Sequence, residues 1–374
     1  MSQTKASTPA LVALACFSTL LYAASERSLT PVHASAFAKK LRAVGQMQCA
    51  ERALAEWKHA RGIAIDERND PDRYGVIGPQ FTLTTTDRGS QAAKVLAAHP
   101  NFAAAAAQMM LEAGVRQGDL VAVGMTGSLP GLNLAVLAAC HAVGAEPIVI
   151  TSVGSSMFGA TDPELTWLDM ESVLANRGIL PYRSLAASLG GGGDVGRGLS
   201  PAGRQLLVDA IERNQARLLD SQTLLEAVRQ RVALYDSVAA ARGKPIKLYV
   251  NVGGGLASLG GTQNARLIPP GLTFRLAARN YPNRGVLNVL AERRIPVLHL
   301  LEVEKLAGRF GIRDVTTGAT VRPGTGLLFI KYKYNLLLVC ASAVAILLAN
   351  LFVLRLDLRH QILGRPHPER RPQA

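Results

Sequence analysis

"DLVAVGMTGSLPGLNLAVLAACHAVGAEPIVITS", Asp119 to Ser152, decides the fold. Its opening, "DLVAVGM", is a short apolar run that reads as a strand. "LNLAVLAACHAVGA" has the length and composition of a buried helix, and "EPIVITS" is a second strand. Strand, helix and strand joined by short turns predict parallel pairing, because a parallel pair needs a crossover. The alternation continues beyond it. "PELTWLDMESVLANRG" reads as a helix, and "KPIKLYVNV" and "RIPVLHLL" as further short strands. The expected fold class is therefore α/β, with a Rossmann-like, mostly parallel sheet carrying helices on both faces.

Working outward, "TTTDRGSQAAKVLAA" offers Thr86 or Asp87 as a helix cap, and "HPNFAAAAAQMMLEAGV" continues as an Ala-rich helix. Upstream, Phe37, Leu41, Val44, Met47, Leu54 and Trp57 recur at helical spacing over Val32–Ala60, which predicts a long helical stalk. "IDERNDPDRYGVIGPQ" follows it and reads as a linker, so the compact part is placed at 74–330 and the stalk and linker at 26–73. Between Ser200 and Gly243 a helical region opens on a Ser cap with Pro201 behind it and is divided near Asp220 and Ser221.

Two apolar runs stand apart. Asn335 to Leu354, "NLLLVCASAVAILLANLFVL", carries no charge and is the length that crosses a bilayer core of roughly 30 Å, giving a transmembrane helix at 334–354. Basic and aromatic residues, "KYKY" and "RLDLRH", flank it as at membrane interfaces. The first run, "PALVALACFSTLLYAA", within 1–25, is either an uncleaved anchor or a secretory signal, since Lys5 precedes it and Ala23 and Ser25 suit a cleavage site. The tail, 355–374, has five Arg against Asp357 and Glu369, which places it in the cytoplasm and the large domain outside the cell membrane. Lys39, Lys40, Arg42, Lys331 and Lys333 pull the other way.

With 48% hydrophobic and 18% charged residues the chain is too apolar for general disorder. Its formal charge is +14; setting aside the tail's +3, Lys331, Lys333 and Lys5 leaves +8 on the domain, a balance that favours anionic partners. Membrane anchors disfavour nucleic acid as that partner. Of four cysteines, Cys16 and Cys340 fall in the apolar runs and Cys49 and Cys140 in the domain, so no disulfide framework is expected.

The turn "GMTGSLPGLN" follows the first strand. At the carboxyl end of a parallel strand, a Gly-rich turn lets backbone N–H groups approach a carboxylate or phosphate, so Gly124, Gly127, Ser128 and Gly131 are candidate ligand-binding residues. The turn matches neither the dinucleotide nor the Walker pattern, and no cofactor is expected. "SVGSSMFGATDPE" and "GGGLASLGGTQ" follow other strands, adding Gly154, Ser155, Asn251, Gly253 and Gly254. "LGGGGDVGRG" is a fourth such segment, a mobile loop whose Asp194 and Arg197 would close over the site.

Candidate catalysts are Ser128, Ser155 and Ser156 as nucleophiles, with Asp162 and Glu164 as assisting carboxylates. None sits in a G-x-S-x-G elbow, and loop hydroxyls more commonly cap and brace. Asp162 also reads as a helix cap before Pro163. His299, with Glu302 and Glu304, is the only His cluster and lies beside an apolar strand, so a structural role is expected and no metal.

Taken together, "TGSLPGLNLAVLAA", "VGSSMFGATDPELTWLDME", "PYRSLAASLGGGGDVGRGLSPAGR" and "LYVNVGGGLASLG" resemble the poly-γ-glutamate system protein family, over roughly Tyr74 to Gly311. The resemblance implies a membrane-linked protein of bacterial poly-γ-glutamate capsule or polymer production, whose partners are the polymer or its synthase subunits. It supplies no catalytic residues. Three functions are then open: an accessory protein that binds the anionic polymer, a hydrolase or transferase acting on γ-glutamyl chains, and a scaffold whose long helices dock other membrane subunits.

Overall fold

The computed structural model describes residues 8–314 and 316–363, so Lys5 and the end of the basic tail lie outside the described residues. The chain divides into two compact units, one spanning Ala34–Phe329 and the other made of the segments up to His33 and from Ile330 onward.

The larger unit is built on a seven-stranded sheet. In chain order its strands are β1 (Leu120–Thr126), β2 (Glu146–Ser152), β3 (Ala186–Ser188), β4 (Arg217–Leu218), β5 (Ile246–Val252), β6 (Gly271–Thr273) and β7 (Val297–Leu300). They lie side by side as β4-β3-β2-β1-β5-β7-β6. Every pairing is parallel except β6 with β7. The expected mostly parallel α/β sheet is present.

Side chains of β1 alternate between two cores. Val121, Val123 and Met125 join one apolar cluster, while Leu120 and Ala122 join another. Both faces are covered, so every residue of β1 is buried, as a central parallel strand requires. The first cluster is filled by α1 (Phe37–Ala60), α3 (Asn101–Glu112), α4 (Pro130–Val143) and α5 (Trp167–Asn176). The second takes Ala227, Val228, Val232 and Tyr235 from α7 (Leu224–Arg242).

Helix α4 is apolar on nearly all sides because it is surrounded, with Pro130 opening it and Gly144 closing it at φ 84°. Close packing needs small residues there. A Cβ on Gly131 would stand 2.6 Å from Ala98 Cα, so only glycine lets α4 approach that turn. Ala103 to Ala107 of α3 are buried in the same layer.

Several expectations change. Helix α1 is no stalk: Ala43, Val44, Met47, Ala50 and Leu54 are buried in the first cluster, because an amphipathic stripe gains most by packing on other apolar helices, here α3, α4 and α5. The "linker" after it is folded around Asp70, which is buried and accepts N–H bonds from Tyr74 (3.0 Å) and Gly75 (2.8 Å). Ser90, rather than Thr86 or Asp87, caps α2 (Gln91–Ala97), accepting from Ala93 N. Asp87 instead ends a short strand, Thr85–Asp87, paired with Ser155–Ser156. The Ser200–Gly243 region breaks into α6 (Pro201–Arg213), strand β4 and α7.

Helix α5 is capped by Thr166 and Asp169, and Asp162 only braces a turn by accepting from Glu164 N at 2.9 Å. Behind that cap Trp167 Nε1 donates to Glu171 Oε1 (2.6 Å), and Ser184 donates to the same carboxyl through its N–H and hydroxyl. Burial outweighs these bonds and pushes the Glu171 carboxyl up to about 7. The folded state therefore holds a proton that the unfolded chain releases near its ordinary value, so this stabilisation is full below about pH 4.5 and lost as pH rises to about 7. Relative to Glu171→Gln, the wild type should lose about 2–3 kcal/mol across that window. Urea denaturation of both proteins at pH 5 and pH 8 checks it; parallel pH curves reject it.

In the smaller unit, Thr30–His33 and Ile330–Lys333 pair antiparallel over four residues, from Thr30 with Lys333 to His33 with Ile330. Helices Thr8–Glu26 and Leu336–Arg355 are each long and apolar enough to cross a membrane.

Candidate functional site

The chain runs outward from β1 through β2 and β3 to β4, then returns to the other side of β1 at β5. The β1–β5 boundary is thus a switch point, where the turns leaving neighbouring strands diverge and open a crevice. A cavity of about 650 Å³ lies there. Its floor is formed by Thr126 and Ser152 at the strand ends, and its walls by Ser128, Gly154, Gly190 and Gly254 from the turns beyond. Thr86–Ser90 and the first turns of α2 close a side with Arg88 and Lys94.

Most of the expected glycines serve packing rather than ligand approach. A Cβ on Gly124 would fall 2.6 Å from Tyr249 Oη, on Gly127 2.3 Å from the Val153 carbonyl oxygen, and on Gly253 2.4 Å from Thr126 Oγ1. Gly131 faces Ala98, as above. Gly154 and Gly254 do line the crevice, and Gly254 has space beside it. Asn251 is sealed beneath, with Nδ2 bonded to the Gly253 carbonyl (2.9 Å) and facing His299 Nδ1 (2.8 Å). Burial holds His299 down to about 4, so the imidazole is neutral at physiological pH.

Adjacent serines separate by environment. Ser155 is fully buried and its hydroxyl donates to the carbonyls of Gly127 (3.0 Å) and Ser156 (2.8 Å). Ser128 and Ser156 both reach the crevice and are tied together, Ser156 N donating to Ser128 Oγ at 3.0 Å. Asp162 and Glu164 do not line it.

Arg197 reaches the crevice as expected, but its loop is not a mobile lid. Asp194 is 1% exposed and forms an ion pair with Arg231 of α7, Nη1 to Oδ2 at 2.6 Å. Arg231 Nη2 donates to Ser188 Oγ (2.7 Å) and Ser152 Oγ (3.1 Å), and Ser152 donates to Asp194 Oδ1 (2.7 Å). This network draws the loop inward under the carboxyl ends of β2 and β3. Asp194 adopts φ 68°, a left-handed conformation that short polar side chains tolerate.

Lys94 is the residue that sequence reading passed over. It is 5% exposed, yet its ammonium opens on the crevice, donating to the Ser128 carbonyl and to Ser156 Oγ at 2.8 Å. Among the described residues no carboxylate pairs with it. Burial alone brings the amine down to about 8. A lone Lys within the apolar "QAAKVLAA" was the available signal, because a charge at such a position needs a reason.

The site thus gathers Lys94, Arg88 and Arg197 around small-residue turns, with Asp87 and the Arg231-paired Asp194 as the acids of its lining. Such a crevice suits a ligand with negative charge and modest bulk. No protein-family model, curated protein or solved structure matches the chain.

Proposed function

We propose that this protein is a membrane-anchored accessory protein of bacterial poly-γ-glutamate production or export, holding the anionic polymer in the crevice of a Rossmann-like domain. The observation that carries the reading is Lys94, a buried cation with no carboxylate partner among the described residues, aimed into a cavity rimmed by Arg88 and Arg197. A carboxylate in the crevice completes that charge, and charge-assisted hydrogen bonds are stronger than neutral ones. The polymer repeats a carboxylate on every unit, so successive groups can meet the rim cations. The two apolar helices, the domain's positive balance and the resemblance over Tyr74–Gly311 support the same reading. In it the domain lies outside the cell membrane and synthase subunits are neighbours. A scaffold role has less support, since the apolar residues of α1 and α7 are turned into the domain's own core.

The test is binding of defined γ-glutamyl oligomers to the full chain in detergent micelles, across a salt series. Lys94→Met keeps the side chain's length and apolar stem, and Arg197→Ala removes an exposed cation. Each should weaken binding about tenfold, equivalent to about 1.4 kcal/mol, and flatten the salt dependence. Salt-independent affinity, equal in wild type and both variants, rejects the proposal.

A further inference from the structure

We propose that the crevice performs acyl transfer, with Ser156 Oγ as nucleophile and Lys94 Nζ as the base that takes its proton, on an amide or ester substrate that carries a carboxylate. The proposal rests on the anion-binding reading for its substrate class. Its chemistry comes from a different observation, the pairing of one hydroxyl with one amine.

Ser156 Oγ has a single protein partner among the described residues, Lys94 Nζ at 2.8 Å. Its hydrogen is given to no protein acceptor, unlike that of Ser155, which is committed to two carbonyls. Both members of the pair are held. Lys94 Nζ also donates to the Ser128 carbonyl, and the Ser156 N–H is fixed on Ser128 Oγ at 3.0 Å. Both open on the cavity of about 650 Å³, room enough for an acyl group with its neighbours. A nucleophile and base within hydrogen-bond reach, with the base oriented by a third group, is the arrangement that activates a serine, and Ser–Lys pairs do so on unrelated folds.

A lysine acts as a base only when it gives up its proton. With its amine brought down to about 8, roughly a tenth of Lys94 is neutral at pH 7 and half at pH 8. Lys58 makes a useful contrast. It is equally buried but donates to the Ile77 carbonyl at 3.1 Å with the Asp70 charge acting on it, and among the described residues no serine hydroxyl meets it. Arg88 and Arg197 on the walls are placed to hold a substrate carboxylate, so acidic peptides are favoured over neutral ones.

The reaction balances without another reagent than water. Neutral Lys94 takes the Ser156 hydroxyl proton as Oγ bonds to the acyl carbon and the carbonyl electron pair moves onto oxygen. The tetrahedral intermediate expels the leaving amine or alcohol, which takes the proton from the Lys94 ammonium. An ester on Ser156 remains. Water, losing a proton to Lys94, adds to this ester and Ser156 leaves with that proton, yielding a carboxylic acid; an amine in place of water gives a transferred acyl group.

The experiment uses the full chain in detergent micelles and a serine-directed fluorophosphonate probe, with the modified residue identified by peptide mass spectrometry between pH 6 and pH 10. Ser156 should be the labelled residue, with a rate that rises through an apparent pKa near 8. Lys94→Met should slow labelling at least a hundredfold, and Ser156→Ala should abolish it, while the fluorescence of buried Trp167 reports that both remain folded. Absence of label on Ser156, or labelling that is independent of pH and unchanged in Lys94→Met, overturns the proposal. Carboxylate oligomer binding is measured in parallel on Ser156→Ala. Retained binding with an unlabelled wild type removes the acyl-transfer step and leaves the anion site standing, and loss of both removes the two together.

Discussion

Arg231→Leu should destabilise the domain by about 3–5 kcal/mol, because it leaves the Asp194 carboxylate buried without its counter-charge. Arg231 is 2% exposed and bonds to Asp194, Ser152 and Ser188, so no solvent replaces what is removed. The defect is specific to charge. Asp194→Asn in the same background removes the orphaned charge and keeps a side chain that tolerates φ 68°, so about half the lost stability should return. Urea denaturation followed by Trp167 fluorescence measures all three proteins. A single variant within about 1 kcal/mol of wild type would show that the network is not what secures the loop. The same variant should also weaken oligomer binding, since Arg197 rides on the loop that Asp194 pins.

Gly127→Val is the second large effect, at about 3 kcal/mol. The position looks like a ligand turn, where a bulky residue would block binding and spare the fold. The structure makes it a seam instead. Gly127 N donates to the Ser152 carbonyl at 3.0 Å, and the Gly127 carbonyl accepts from Ala160 N (2.8 Å) and Ser155 Oγ (3.0 Å). A Cβ would lie 2.3 Å from the Val153 carbonyl oxygen and 3.3 Å from Ser155 Cβ, so the turns after β1 and β2 must part. Thermal unfolding should show a clear drop in midpoint together with lost binding. Lost binding at unchanged stability would return Gly127 to the role of a ligand contact.

These outcomes show where sequence reading reaches. Strands β1, β2, β5 and β7 were legible because a buried parallel strand must be an unbroken apolar run. The short strands β3, β4 and β6 were not. Two or three residues such as Ala186–Ser188 carry no periodicity, and only pairing with a neighbour makes them strands. The apolar positions of α1 were readable, but not that they pack on α3, α4 and α5 inside the domain rather than lead to it. Convergence of Ser128, Gly154, Ser156 and Gly254 followed from parallel topology alone, since their turns leave the carboxyl ends of β1, β2 and β5, whereas Arg197 was expected there only as part of a mobile Gly-rich loop. Lys94 left only the trace of a charge in an apolar segment, and Arg88 and Arg231 left none, because their roles depend on partners distant in the chain. Among the glycines, close approach to a ligand and close approach to the protein's own backbone look identical in one dimension.

The pairing of Thr30–His33 with Ile330–Lys333 carries a last consequence for engineering. Just inside that ladder Ala34 N donates to the Phe329 carbonyl at 2.9 Å, so the first and last residues of the α/β unit are already fastened to one another. Such a unit behaves as a cassette. Its ends can be joined by a short peptide and new termini opened in an exposed loop, or the whole segment lifted between the strands of an unrelated hairpin, without asking the sheet to change.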